Sequence, residues 1–295
     1  MNETILEIHT SDLSAECLRS VELRWEGKVD GEMPGAMVRG SLWHYAAEDW
    51  HALLGSNGVP EPKVCVANAI QKLHDEAAKS NRPMTAAALR NLEETKAEVI
   101  ELLGHYSRRF IDIFDNEATK VIGCEVPIRY EFEVDGEPVM FASHLDLLFR
   151  NEAGIHCWDW KTGEDSPTYD YLNRNMQLAM YALALRHGEV LVGGWWTRME
   201  QWPSLSWCHV NNLAPYRRAV TLGDGTKFAK GDLRPLQSVL MPADIREEAE
   251  PAIRRELQMR VRMIRAGFFP TNPTEKGCFV CPSKAHCQEF RNANK

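Results

Sequence analysis

The stretch His144–Gly163, HLDLLFRNEAGIHCWDWKTG, constrains this chain more than any other. Two apolar runs flank an Asn/Gly-bearing turn, a spacing that predicts two neighbouring β-strands. Side chains alternate along a strand, so Asp159 and Lys161 share one face of the second strand, with Asp146 on the first. The fold must therefore supply a sheet in which two carboxylates and a lysine converge at neighbouring strand ends.

That convergence has a chemical use. Hard divalent cations such as Mg²⁺ or Mn²⁺ take oxygen ligands, and paired carboxylates leave part of the shell open for a phosphate. A lysine two residues beyond a ligand can orient the attacking water or offset charge developing on the phosphorus centre. The chemistry predicted is metal-assisted phosphodiester hydrolysis. A D-x-K tripeptide alone is more often a solvated strand of alternating charge. Here it has company: Asp146 stands thirteen residues before Asp159, and Gln177-x3-Tyr181 follows on a helical pattern.

Together these residues resemble the PD-(D/E)XK nuclease superfamily, in its RecB-like branch, whose pattern is an Asp after an apolar strand, a D-x-K-T-G strand and a Q-x3-Y helix. The resemblance implies that Asp146 and Asp159 are metal ligands, that Lys161 is the catalytic lysine, and that Gln177 and Tyr181 line the site. It also implies a histidine from a G-x3-H helix near the N-terminus, which Gly40-x3-His44 matches. Without the family, a single helix histidine is usually a packed side chain. Glu125, on an earlier strand where the family often has a glutamate, ranks low and reads equally as a polar edge residue.

Eight cysteines in a chain whose N-terminus has no apolar signal core point to metal binding before disulfides. Cys278-x2-Cys281-x5-Cys287 is compact, and three thiolates want a fourth ligand; Cys17 is the candidate. A similar arrangement occurs in iron–sulfur members of the RecB-like branch, among them AddB-type nucleases and CRISPR-associated exonucleases. The resemblance thus implies a [4Fe–4S] cluster on Cys17, Cys278, Cys281 and Cys287, joining the two ends of the chain. Structural zinc suits four thiolates as well, and spacing does not separate the two.

The 295 residues, 44% of them hydrophobic, suffice for a large core. No apolar run reaches the ~20 residues of a membrane span, so the expectation is a soluble, cytoplasmic protein. A net charge of −8 argues against broad nonspecific DNA coating, though arginines concentrated in one groove would still bind a backbone.

The fold expected is α/β, a mixed central sheet flanked by helices, which the resemblance makes a restriction-endonuclease-like core. We read one domain over 1–295, with a helical insertion at 55–118, a catalytic sheet core at 119–210, and a C-terminal helix and cysteine cluster at 242–295. A helix is expected over 39–54, entered at Gly40 and capped by Ser41, with His44, Glu48 and His51 on one stripe. Leu89, Leu92, Val99, Leu102 and Leu103 recur at helical spacing and predict a buried face. IGCEVPIRYEFEV, Asp135-Gly136 and EPVMFASHLDLLF predict a hairpin. One helix is expected to end at Gly188, followed by the strands LVGGWWT and SLSWCHV. Most of Trp195, Trp196, Trp202 and Trp207 are assigned to the core rather than to base stacking. A last helix is expected from Pro242 to 266; its arginines read equally as a phosphate stripe or as salt-bridged.

The function these readings imply is a Mg²⁺- or Mn²⁺-dependent DNA exonuclease, acting on single-stranded ends, with an endonuclease side activity left open. Its settings would be recombination and repair, phage DNA processing or CRISPR adaptation, with protein partners from such a complex or a homo-oligomer, and no membrane. The rival readings are a non-catalytic DNA-binding module and a zinc-stapled structural protein.

Overall fold

The structure, a computed structural model, describes residues 5–13, 17–28, 35–54, 58–79, 86–163, 168–211, 219–221, 227–232, 238–269, 283, 286 and 287. The N-terminal part runs β1 (Leu6–His9), α1 (Thr10–Leu13), α2 (Leu18–Trp25), α3 (Gly35–Leu53), α4 (Pro62–Lys79) and α5 (Ala86–Phe114). The hairpin β2 (Lys120–Val134) and β3 (Glu137–Asn151) follows, then β4 (Gly154–Gly163), α6 (Tyr169–Asn173) and α7 (Met176–His187). Next come β5 (Glu189–Val192), β6 (Trp195–Thr197), β7 (Ser204–Asn211), β8 (Val220–Thr221), β9 (Lys227–Phe228), β10 (Ser238–Pro242) and α8 (Glu250–Arg265).

Asp135 and Gly136, both with positive φ (57° and 81°), close the long β2–β3 hairpin, as a tight turn requires. The sheet order is β10-β7-β4-β3-β2-β5-β6, with β1 parallel to the N-terminal half of β3. β3 pairs antiparallel with β4 only from Leu147↔Trp158 to Asn151↔Gly154, whereas β4 runs on parallel to β7. The sheet therefore forks between β3 and β4, just beyond Leu147.

Each face of the sheet buries its own cluster. One face packs Val126, Ile128, Phe141 and Cys157 against α7 and against Leu257 and Val261 of α8. The other packs Leu147, Phe149, Trp158 and Trp160 against Trp43 and Trp50 of α3, Cys65 of α4 and Tyr106 of α5. The result is a mixed sheet between helical layers, the α/β restriction-endonuclease-like architecture. Among the described residues no helix is long and apolar enough to cross a membrane.

Several boundaries differ from the sequence reading, each for a local reason. The helix expected at 39–54 begins at Gly35, and Gly40 and Ser41 lie inside it. A methyl added at Gly40 would meet Thr162 Oγ1 at 3.7 Å, an ordinary contact, so packing does not demand glycine there. The sheet extends outside 119–210, because β1 and β10 both join it. Pro242 ends a sheet strand instead of starting a helix, and α8 begins at Glu250 with Pro251 in its first turn, where proline loses no hydrogen bond.

The helix expected before Gly188 is two, because Asn175 turns out of helical conformation and its side chain accepts from Leu178 N, capping α7. Gly193 and Gly194, with φ of 59° and 85°, split LVGGWWT into the hairpin β5–β6. Trp195 stands 79% exposed on that hairpin, with Trp196 also exposed, so of the four tryptophans expected mostly in the core Trp207 is buried and Trp202 half-buried. Leu89 is exposed although Leu92, Val99, Leu102 and Leu103 are buried. The arginines of α8 are largely engaged. Arg254 pairs with Glu250, Arg260 with Glu256 and Arg262 with Asp135, and Arg265 donates to the Val134 carbonyl.

Candidate metal centre

The fork between β3 and β4 builds the site. Past Leu147 and Trp158 the two strands no longer exchange ladder bonds, and the Trp160 N–H donates instead to Asp146 Oδ2 at 2.6 Å. One Asp146 oxygen thus replaces a backbone acceptor, which closes the fork and fixes the carboxylate. Cys157 belongs to the core face of α7 and Trp158 and Trp160 to the face of α3, so alternation sends Asp159 and Lys161 toward α7.

There, Lys161 Nζ lies 2.6 Å from Asp159 Oδ2, and Gln177 Nε2 donates to Asp159 Oδ1 at 2.7 Å and to Tyr181 Oη at 2.8 Å. Gln177 and Tyr181 are one α7 turn apart, the spacing that brings side chains together on a helix. Tyr181 is buried, and reaches the site through Gln177.

From the opposite face, α3 contributes His44. Its Nδ1 is 3.1 Å from Glu125 Oε1 and 3.7 Å from Asp146 Oδ1, and its Nε2 lies 3.1 Å from the Trp160 carbonyl. One ligand atom each from His44, Glu125 and Asp146 lie within 4.8 Å of one another, close enough to share a cation. Asp159 falls outside that triplet but is 99% buried and bonded to both Lys161 and Gln177. The imidazole, the carboxylates and the Trp160 carbonyl form a donor set suited to Mg²⁺ or Mn²⁺.

Glu125 is the residue that sequence reasoning undervalued. Its φ is 46°, in the left-handed region that a side chain disfavours, and the β2–β3 register slips just before it, between Val121 and Gly123. Strained conformations of this kind gather at functional sites. The signal available in the sequence was Gly123, since a glycine inside a strand pattern marks a bulge.

Electrostatics follow from burial and crowding. Burial disfavours the His44 imidazolium, but the Asp146 and Glu125 carboxylates outweigh it and push its pKa up to about 9. Burial raises the Asp146 carboxyl to about 7; nearby Asp159 adds to this and His44 opposes it. Burial also works against the Lys161 ammonium, yet Asp159 and Asp146 more than compensate, so its pKa is raised.

Of the residues expected from sequence, His44, Asp146, Asp159, Lys161, Gln177 and Tyr181 fall in one neighbourhood. Cys17 and Cys287 are half-buried, Cys17 at the N-cap of α2. Cys278 and Cys281 lie outside the described residues. His51 packs away from the cluster, with its ring against Trp160 and its Nε2 2.9 Å from Tyr106 Oη.

The family model of the PD-(D/E)XK nuclease superfamily matches residues 13–288. Among solved structures, the chain is similar to the protein of the crystal structure of SSO0001, with 13% identity over 98% of this chain and 89% of that one, at a TM-score of 0.42. No curated protein matches it.

Proposed function

Since the chain belongs to the PD-(D/E)XK nuclease superfamily, we propose that it is a Mg²⁺- or Mn²⁺-dependent DNA exonuclease acting on single-stranded ends. The observation that carries this reading is the convergence of His44, Glu125 and Asp146 beside the Asp159–Lys161 pair. His44, Asp146 and Asp159 would hold the cation, with Glu125 as a further carboxylate. When bound, a divalent cation neutralises phosphate charge and lowers the pKa of a water.

The protein's own groups do the rest. Lys161, buried in charge but a third exposed at its side chain, offers an ammonium to the attacking water or to a phosphate oxygen. Gln177 holds Asp159 in orientation through its amide donor, and Tyr181 anchors that amide. The Trp160 N–H keeps Asp146 at the fork. Recombination and repair, phage DNA processing and CRISPR adaptation are the settings that fit such an activity, as part of a protein complex or as a homo-oligomer.

The same reading places a [4Fe–4S] cluster on Cys17, Cys278, Cys281 and Cys287, supported by their ligand type and spacing. The test is degradation of end-labelled single-stranded DNA with Mn²⁺ by anaerobically purified protein, beside Lys161→Ala, after recording the visible spectrum and iron content. Metal-dependent shortening lost in Lys161→Ala supports the nuclease. DNA binding without cleavage under any metal would move the reading to a non-catalytic binding module, and colourless protein carrying zinc would replace the iron cluster.

A further inference from the structure

Beside Lys161 the candidate metal centre has an aromatic neighbour. β4 and β7 run parallel with Asp159 opposite Trp207, and Trp207 packs on the α7 face, the one to which Asp159 and Lys161 point. Lys161 Nζ lies 5.7 Å from the centroid of the Trp207 ring. Tyr171 of α6 stacks on the same ring, with centroids 5.7 Å apart and planes 12° from parallel. Trp207 is therefore the shared neighbour of the ammonium and of Tyr171. It is itself 9% exposed, whereas Tyr171 is 47% exposed, so the stacked pair runs from core to water beside a lysine that also reaches water.

α6 fixes the Tyr171 ring where it stands. The Thr168 hydroxyl caps the helix by accepting from Tyr171 N at 3.2 Å, Leu172 beside it is fully buried, and Asn173 Oδ1 accepts from Asp244 N at 2.8 Å. A ring already held by its backbone and backed by a second ring loses little freedom when a flat group settles against it. Tyr171 brings no positive charge to a phosphate. Its exposed ring suits the π-face of a base, an interaction that every base can make. Bases of a duplex are already stacked on one another, so the base that reaches Tyr171 is an unpaired one. Were the ring only a cover for Trp207, another apolar side chain of similar reach would serve as well.

We propose that Tyr171, backed by Trp207, is the stacking platform for an unpaired base of the substrate strand, that of a nucleotide flanking the phosphate at Lys161. The proposal rests on the nuclease reading above, but its test does not need cleavage. Anisotropy measures binding of a labelled short single-stranded oligonucleotide, and of an abasic strand of equal length and charge, to the full chain in metal-free buffer, for wild type, Tyr171→Leu and Tyr171→Phe. Wild type should prefer the strand with bases. That preference should fall about tenfold in Tyr171→Leu, which is about 1.4 kcal/mol and within the range of one base–aromatic stack. Tyr171→Phe should keep it, because the ring face and not the hydroxyl is used. Affinity for the abasic strand should be the same in all three proteins, since no charge is removed, and this separates a lost stack from a lost fold. In wild type alone, irradiation of a bound strand carrying iodouracil should join the base to Tyr171, located by peptide mass. A wild-type base preference in Tyr171→Leu, or crosslinks confined to other elements, overturns the platform. A wild type that binds both strands and cuts neither with Mn²⁺ removes the nuclease reading instead, and the base preference still decides the platform.

Discussion

His51 should make this fold sensitive to acid, by an amount that follows from its surroundings. The ring is buried among Trp50, Tyr106, Phe114 and Trp160, and burial pushes its pKa down to about 3 from an ordinary 6.5. For a base whose folded pKa is depressed, the unfolded chain takes up the proton first. Stability is full above the unfolded pKa and falls as pH drops from about 6.5 toward 3. At pH 5 the gap is about 1.5 pH units below the unfolded value, and at 1.36 kcal/mol per unit the loss is about 2 kcal/mol, a sizeable share of a domain's stability.

The perturbation is His51→Phe, which keeps a planar ring in an aromatic cluster and removes the titration. It leaves the Tyr106 hydroxyl without its 2.9 Å partner. That cost does not change between pH 7.5 and 5, because burial holds the Tyr106 pKa well above 10. Urea unfolding of both proteins at the two pH values, in metal-free buffer, gives a double difference from which every other titrating group cancels. Wild type should lose about 2 kcal/mol more than His51→Phe on acidification. Equal losses, within an extrapolation error of ~10–15%, would refute a neutral buried imidazole at this position.

Other expectations concern the metal centre. Lys161→Ala should lower Mn²⁺-dependent cleavage by at least about 10²-fold, the scale of losing one preorganised charge, with circular dichroism unchanged. His44, with its pKa near 9, is mostly protonated at neutral pH and must lose that proton to act as a ligand. Mn²⁺ affinity measured by calorimetry should therefore tighten by roughly tenfold per pH unit from 7 to 9 in wild type, and more weakly in His44→Ala. Glu125→Gly, which relieves the positive φ of 46° but removes the carboxylate beside the His44 imidazolium, should lower the His44 pKa followed by NMR titration and weaken Mn²⁺ binding. Gly40→Ala should stabilise α3 by roughly 0.5–1 kcal/mol, seen as a higher melting temperature, because its Cβ meets only Thr162 Oγ1 at 3.7 Å.

Strand alternation made the neighbourhood of Asp146, Asp159 and Lys161 legible from the sequence, and helical spacing did the same for Gln177 and Tyr181. Both are local periodicities, fixed by backbone geometry whatever the rest of the chain does. What the sequence hid is tertiary. The role of β1 depends on a parallel partner 133 residues away, as in the contact of His9 with Ala142. Pro242 reads as a helix start by local rule, yet occupies a strand end beside Ser206. Glu125 looks like an edge carboxylate until a left-handed backbone and the slip at Gly123 bring it against His44. Trp195 and Trp196 read as core because tryptophan usually is, but a Gly-Gly turn lifts them to the end of the sheet.

The fork explains why side chains from both faces of a sheet can meet at all. A continuous β3–β4 ladder would seal the two faces from each other, with α7 residues on one side and α3 residues on the other. Where the ladder stops, Asp146 bridges the opening through the Trp160 N–H, and the carbonyl of the same residue faces His44. The charges gathered there offset one another: the His44 imidazolium and the Lys161 ammonium stand against Glu125, Asp146 and Asp159, with Asp146 raised toward neutrality. Each buried charge in the cluster thus stands beside one of opposite sign, the arrangement in which burial of charge is tolerated. Were His44, Glu125 and Asp146 to take up a divalent cation, as proposed, the site would have to release protons, not rebuild its backbone.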